Sequence, residues 1–201
     1  MARMELPVAG QPPRERADAA RNRQRVLAAA GELFRERDPR TVTMEDIAAA
    51  ASVGKATLYR RYPDRTAVAS ALLDEHERDL QERILHGPPP LGPGAPPAER
   101  LAAFLGALVR FNEDHGHLQA AVETEAQRLR TGAYAAWRSH VVALLEEAGV
   151  GGRRVRQALA DAVLGGVAPE VHRYQREVQG LGVRKIAAAA EALASAVCAP
   201  R

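Results

Sequence analysis

Residues Thr43–Arg65 read TMEDIAAAASVGKATLYRRYPDR. The stretch divides into two short helical runs joined by Ser52, Val53 and Gly54. Thr43 precedes the first run and Asp46 follows three residues on, a weak form of the spacing at which a hydroxyl and a carboxylate cap each other's backbone N–H groups. Ile47, Ala48 and Ala51 are the inward positions of that run, small enough for a second helix to cross closely. In the second run Leu58 and Tyr62 lie four apart and share a face, which would be buried with Val53. A rotation of about 100° per residue puts Ala56, Tyr59 and Arg60 on the other side, with Lys55, Thr57 and Arg61 at its margins. That outer face is cationic, aromatic and hydrogen-bonding, and Ala56 lets the backbone approach a groove wall. Pro63 ends the run and Asp64 can cap the next one. A helix pair of this kind places a basic helix in the major groove of DNA. On pattern alone, a helical hairpin with a merely solvated basic face competes with that reading.

Upstream, Val26, Leu27, Ala30, Leu33 and Phe34 form an apolar helical stripe that Asp18 can cap. Together with Thr43, Ile47, Ala48, Ala51, Val53, Lys55, Thr57, Leu58, Tyr59, Arg60, Tyr62, Pro63, Asp64 and Arg65, these residues resemble the DNA-binding domain of the TetR family of bacterial transcriptional regulators. The resemblance runs from about Asp18 to Leu73. It implies phosphate contacts from Thr43, Tyr59, Arg61 and Arg65, and a place near base edges for Lys55, Ala56, Thr57 and Arg60. It also implies an all-α fold, with a three-helix helix-turn-helix domain followed by a helical-bundle domain for ligand binding and dimerisation. Three departures stand out. Ser52 occupies a usual glycine position, so a left-handed backbone there carries strain. Gly54 replaces a common Ser or Thr and removes a phosphate donor, and Asp38-Pro39 replaces the usual glycine after the first helix.

The remaining chain is ordered around this unit. Residues 1–16, with Pro7, Pro12 and Pro13, are expected as a flexible tail, in which Arg14 and Arg16 either reach DNA as a basic arm or stay solvated. Arg21, Arg23 and Arg25 decorate the first helix, as solvated surface or over a phosphate strand. The DNA-binding domain is drawn at 17–65 and the ligand-binding and dimerisation domain at 66–201. A long helix from Asp64 to about Leu85 is expected as the mechanical link. Residues 87–97, GPPPLGPGAPP, read as a connecting loop, preferred over a polyproline recognition motif.

Beyond the loop, Leu101, Phe104, Leu105, Leu108 and Phe111 make one stripe, followed by expected helices over 118–129 and 133–148 and a break at Gly149–Gly152. Phe104, Leu108, Phe111, Leu118, Tyr134, Trp137, His140 and Tyr174 are the candidate lining of an effector pocket, each also explicable as plain core. Two terminal helices carry Val155, Leu159 and Val163, and Ile186, Ala190, Leu193 and Val197, at three- and four-residue steps. Such seams suit a four-helix interface between two copies, and the resemblance favours that homodimer over a monomer's core.

Composition bounds the alternatives. The net charge of +3 is too small for indiscriminate polyanion binding, so the basic character is local. Cys198 is the single cysteine, which excludes an intrachain disulfide and a cysteine-based zinc site. No apolar run reaches membrane-spanning length and no signal-peptide core opens the chain, so no membrane partner and a cytoplasmic location are expected. His115 and His117 near Glu113, Asp114 and Glu123 suggest a wet helix boundary rather than a metal site. No cofactor or metal is expected, and no catalytic motif argues for an enzyme. The leading expectation is a repressor released from a pseudo-palindromic duplex operator by a small-molecule effector. An activator of the same fold is the alternative. A rival from another class is a small-molecule-binding bundle or enzyme with a vestigial hairpin.

Overall fold

A computed structural model describes residues 14–122 and 132–199. All regular structure among the described residues is helical: α1 (Arg14–Glu36), α2 (Met44–Ala50), α3 (Lys55–Arg61), α4 (Arg65–His86), α5 (Pro97–Val122), α6 (Gly132–Glu147), α7 (Arg153–Gly166), α8 (Pro169–Glu177) and α9 (Val183–Cys198). The expected all-α class is therefore observed. Helix α1 starts at Arg14, so Arg14 and Arg16 lie in a helix rather than a tail, and Asp18 pairs with Arg21 instead of capping. The rest of the expected tail, 1–13, lies outside the described residues.

The chain forms two compact units, one reaching Leu72 and one beginning at Leu73, so the division between these units falls inside α4. The first two turns of α4 belong to the first unit because their apolar residues are used there. Val68, Ala69 and Leu72 are buried, and Leu72 packs where a side chain on Gly31 of α1 would stand. Val26, Leu27, Ala30, Leu33 and Phe34 of α1 and Ile47, Ala48 and Leu58 of α2 and α3 complete this core. Asp64 caps α4 through a 2.8 Å bond from the Ala67 N–H.

In the second unit α5 is buried almost all round along its first four turns, with Leu101, Phe104, Leu105, Leu108, Val109 and Phe111 in the core. A helix apolar on every side has to be enclosed by others. Helix α9 lies along it, and α6 and α8 also pack on it. The expected break before 118 is absent: α5 runs on to Val122, which puts His115 and His117 inside a helix. His115 stacks on His76 at 4.0 Å and meets Phe111 edge-on at 4.8 Å. Residues 123–129 of the expected next helix lie outside the described residues. The 87–97 segment is a folded loop, not an extended strand. The Gly92 N–H bonds Pro88 O at 3.0 Å, and a Cβ on Gly92 would stand 1.8 Å from Gly87 O. Helix α8 was not foreseen. Pro169 is its first residue, a position that needs no backbone N–H partner.

Candidate functional site

The helix pair forms as its sequence dictates. At the start of α2, the Asp46 N–H donates to Thr43 Oγ1 at 3.1 Å and the Thr43 N–H donates to Asp46 Oδ2 at 3.0 Å. This completes the capping box and holds the Asp46 carboxyl below its usual range. At the other end, the Ser52 N–H bonds Ala49 O at 3.1 Å and the Val53 N–H bonds Ala48 O at 3.0 Å. These two bonds define a Schellman turn, with Ser52 in the left-handed conformation (φ 51°). The strain inferred from the serine-for-glycine departure is thus present.

On α3, Leu58 and Tyr62 are buried while Lys55, Ala56, Thr57, Tyr59, Arg60 and Arg61 are all exposed. Tyr59 is 45% exposed, a large aromatic ring left in solvent. The Arg61 guanidinium lies 5.9 Å from the Tyr62 ring centroid, a cation–π contact. Two interactions were not legible from spacing. Lys55 Nζ lies 3.3 Å from Glu45 Oε1 on α2. Arg65 donates to the Arg40 carbonyl, and Arg40 is itself paired with Asp38. The Asp38-Pro39 departure therefore supplies an acceptor that orders the loop after α1.

The candidate effector residues divide. Phe104, Leu108, Phe111, Leu118 and Trp137 are buried in the second unit, with the Phe111 and Trp137 rings edge-to-face at 6.0 Å. His140 meets Phe104 edge-on at 5.1 Å. Its Nε2 is buried, with no hydrogen-bond partner among the described residues. Burial, and secondarily Arg100, lower the imidazole pKa to about 4, so the ring is neutral near pH 7. Tyr134 is half-buried and shares the Asp161 carboxylate with Arg138. Tyr174 does not join the group: it is 52% exposed on α8. The side of α8 turned inward carries His172 instead. His172 Nε2 lies 2.8 Å from Glu113 Oε2, and Arg176 grips the same carboxylate at 2.9 and 3.0 Å. Burial raises the Glu113 pKa, but the hydrogen bonds from Arg176 and His172 outweigh it and leave the carboxyl below its usual range.

The candidate interface residues divide as well. Val163, Ile186 and Ala190 are buried within the chain's own core, so they are covered before any second copy arrives. Leu159 and Val197 are half-buried against that core. Val155 (51% exposed) and Leu193 (39%) face outward, with Ala158 and Ala162 on α7 and Ala189, Ala192 and Ala196 on α9. A Cβ on Gly166 would touch Leu193 at 3.7 Å, so the outer rows of α7 and α9 adjoin. The apolar stripe was read correctly as helical, but its period does not say which edge faces inward.

A capped support helix, a Schellman turn and an exposed cationic second helix, backed by α1, define a helix-turn-helix domain of the DNA-reading class. Residues 26–72 match the family described as bacterial regulatory proteins, tetR family. The chain is 36% identical over 124 residues to an uncharacterized HTH-type transcriptional regulator of Mycobacterium tuberculosis, a match covering 62% of this chain. It spans 59% of that relative's length. A TetR-like transcriptional regulator from Rhodococcus sp. RHA1 superimposes with a TM-score of 0.57 at 25% identity, covering 92% of this chain and 96% of that one. The fatty acid degradation regulator FadR from Bacillus halodurans shares the fold at a TM-score of 0.67 and 14% identity, covering 86% and 94%. Over residues 26–72 the chain carries the DNA-binding domain of the TetR family of bacterial transcriptional regulators.

Proposed function

We propose that the protein is a homodimeric, sequence-specific DNA-binding regulator that represses transcription and releases its operator when a small molecule binds the second unit. The observation that carries this reading is the sorting of α3: Leu58 and Tyr62 inward, Lys55, Ala56, Thr57, Tyr59, Arg60 and Arg61 outward. In each copy α3 enters one major groove. The two half-sites lie roughly 34 Å or a multiple of it apart, so the operator is pseudo-palindromic. Lys55, Ala56, Thr57 and Arg60 face base edges. Thr43, Tyr59, Arg61 and Arg65 hold phosphates, and affinity falls steeply with salt.

The second copy is expected on the outer rows of α7 and α9, where Val155 and Leu193 stand among alanines. Such small residues permit close helix crossing. The effector belongs among the Phe104, Phe111, Trp137 and His140 rings. Support comes from buried polar atoms of this unit that have no hydrogen-bond partner among the described residues, His140 Nε2 and Gln119 Oε1. Buried polar groups in native proteins are almost always satisfied, and a ligand can satisfy them. The ligand lowers DNA affinity only to the extent that it prefers a conformer with the wrong spacing of the two α3 helices. No described helix is long and apolar enough to cross a membrane, consistent with work on cytoplasmic DNA. The function is binding and not catalysis.

Fluorescence anisotropy of a duplex carrying the region upstream of the protein's own gene tests the reading. Binding as a dimer, with at least about a hundredfold preference over random duplex in moderate salt, is expected. Absence of any shift at low salt would remove it. Transcript levels in a deletion strain decide repression: the controlled genes should rise.

A further inference from the structure

The turn between α2 and α3 sets the direction in which the reading helix leaves its support. It has an unusual occupant. The same Schellman pattern ends α6, where the Gly149 N–H bonds Glu146 O and the Val150 N–H bonds Leu145 O. There the left-handed residue is Gly149 (φ 72°). In the α2 turn that position is Ser52, whose Cβ is disfavoured in this conformation.

A third element compensates. Arg25, on α1, donates through Nη2 to Ala51 O at 2.7 Å and to Ser52 O at 2.9 Å. The first carbonyl belongs to the peptide preceding Ser52 and the second to the peptide following it. Holding both fixes the two dihedrals of the strained residue. The guanidinium also meets the negative end of α2, where a cation is favourable. Neighbouring Val26 and Leu27 are buried, so the arginine is mounted on a fixed part of α1.

We propose that Arg25 is a positioning residue for DNA recognition: it pins the peptide planes on either side of Ser52 and so fixes the angle at which α3 is presented. The proposal rests on reading α3 as the groove helix. It assigns Arg25 to the protein's own backbone and not to a phosphate.

The test uses the full chain as wild type, R25Q, S52G and the R25Q/S52G double variant, with R25K as the conservative replacement. Two readouts are taken: amide hydrogen exchange of α3 without DNA, and anisotropy with the upstream duplex and a random duplex. R25Q should speed exchange at Leu58 and Tyr62 and weaken specific binding about tenfold, close to 1.4 kcal/mol. S52G in the same chain should restore most of both, because glycine needs no clamp, while R25K should lie between R25Q and wild type. Unchanged exchange in R25Q would overturn the proposal. So would a DNA-binding loss that S52G does not restore, accompanied by a salt slope smaller by about 1, since that marks a phosphate contact. Unfolding of R25Q counts for the clamp if S52G reverses it and against it otherwise. If wild type ignores DNA, the functional reading fails, and the exchange data still decide the clamp.

Discussion

Lys55 Nζ and Glu45 Oε1 lie 3.3 Å apart, so the first residue of the reading helix is paired with a carboxylate on its support helix in the DNA-free chain. Both side chains are well exposed, and such pairs contribute little to stability. Their consequence for binding is larger, because Glu45 sets a negative charge beside the face that would meet phosphates. E45Q should raise affinity about threefold on operator and random duplex alike, leave the melting temperature unchanged, and steepen the salt dependence. Anisotropy titrations at several salt concentrations measure this. Weaker binding by E45Q would show that the pair positions Lys55 instead of withholding it.

Arg60 and Arg61 are adjacent, both exposed, and a rotation of about 100° apart on α3. R60A should lose about 1–3 kcal/mol on the operator and little on random DNA, flattening sequence preference. R61A should weaken both duplexes evenly and reduce the salt slope by about 1. Equal losses on both duplexes for both variants would refute the division. Arg65 is a poorer probe of phosphate contact, since it also fastens the Arg40 carbonyl and R65A would loosen the loop after α1.

His140 makes the second unit sensitive to acid. Its folded-state pKa is lowered from 6.5 to about 4, by burial first and Arg100 second. The unfolded chain therefore takes up a proton that the folded chain refuses. Stability is fully present above about pH 6.5 and falls as the pH drops toward 4. Between pH 7 and 5 the loss should be about 1–2 kcal/mol. H140Q should flatten this window, read as the urea midpoint at each pH. Glu113 acts at lower pH and with its own partners. Its lowered carboxyl pKa keeps its contribution above the ordinary glutamate range and loses it as pH falls through the folded value.

Leu193 is 39% exposed on the outer row of α9, next to Gly166 of α7. If two copies meet there, L193R places one unpaired cation per copy in the interface. Dimer dissociation should then strengthen on the order of a hundredfold, with the monomer still folded. Sedimentation velocity across a concentration series reads the outcome. A dimer unchanged in L193R would place the interface elsewhere. I186R is no equivalent test, because Ile186 lies in the chain's own core.

Several features could be read before any coordinates. Caps, turns and short helices depend on neighbours in sequence, and Thr43 with Asp46, Leu58 with Tyr62, and Asp64 with Ala67 all meet as their spacing requires. The outward set on α3 follows from the same local geometry. The left-handed Ser52 followed from the family resemblance, because a serine stands there at a usual glycine position. Helix α8 was not legible. Its inward side carries His172, buried, and Arg176, half-buried, both bonded to Glu113 on α5. Its large apolar side chains, Val171 and Tyr174, are exposed, so no buried apolar stripe marks it.

By itself, the amino-acid order determined the capped helix pair and the face of α3 that stays in solvent, since each is a matter of period and capping within a few residues, while the all-α class and the three-helix domain followed from the family resemblance those residues carry. Only the tertiary structure decided that Arg25 holds the Ser52 turn and that Glu45 pairs with Lys55. It alone decided that Ile186 is core while Leu193 is surface, and that the Nε2 of half-buried His140 is enclosed with no hydrogen-bond partner among the described residues. Those outcomes depend on which segments distant in sequence pack together, and a helical period records that a face is apolar without recording what covers it.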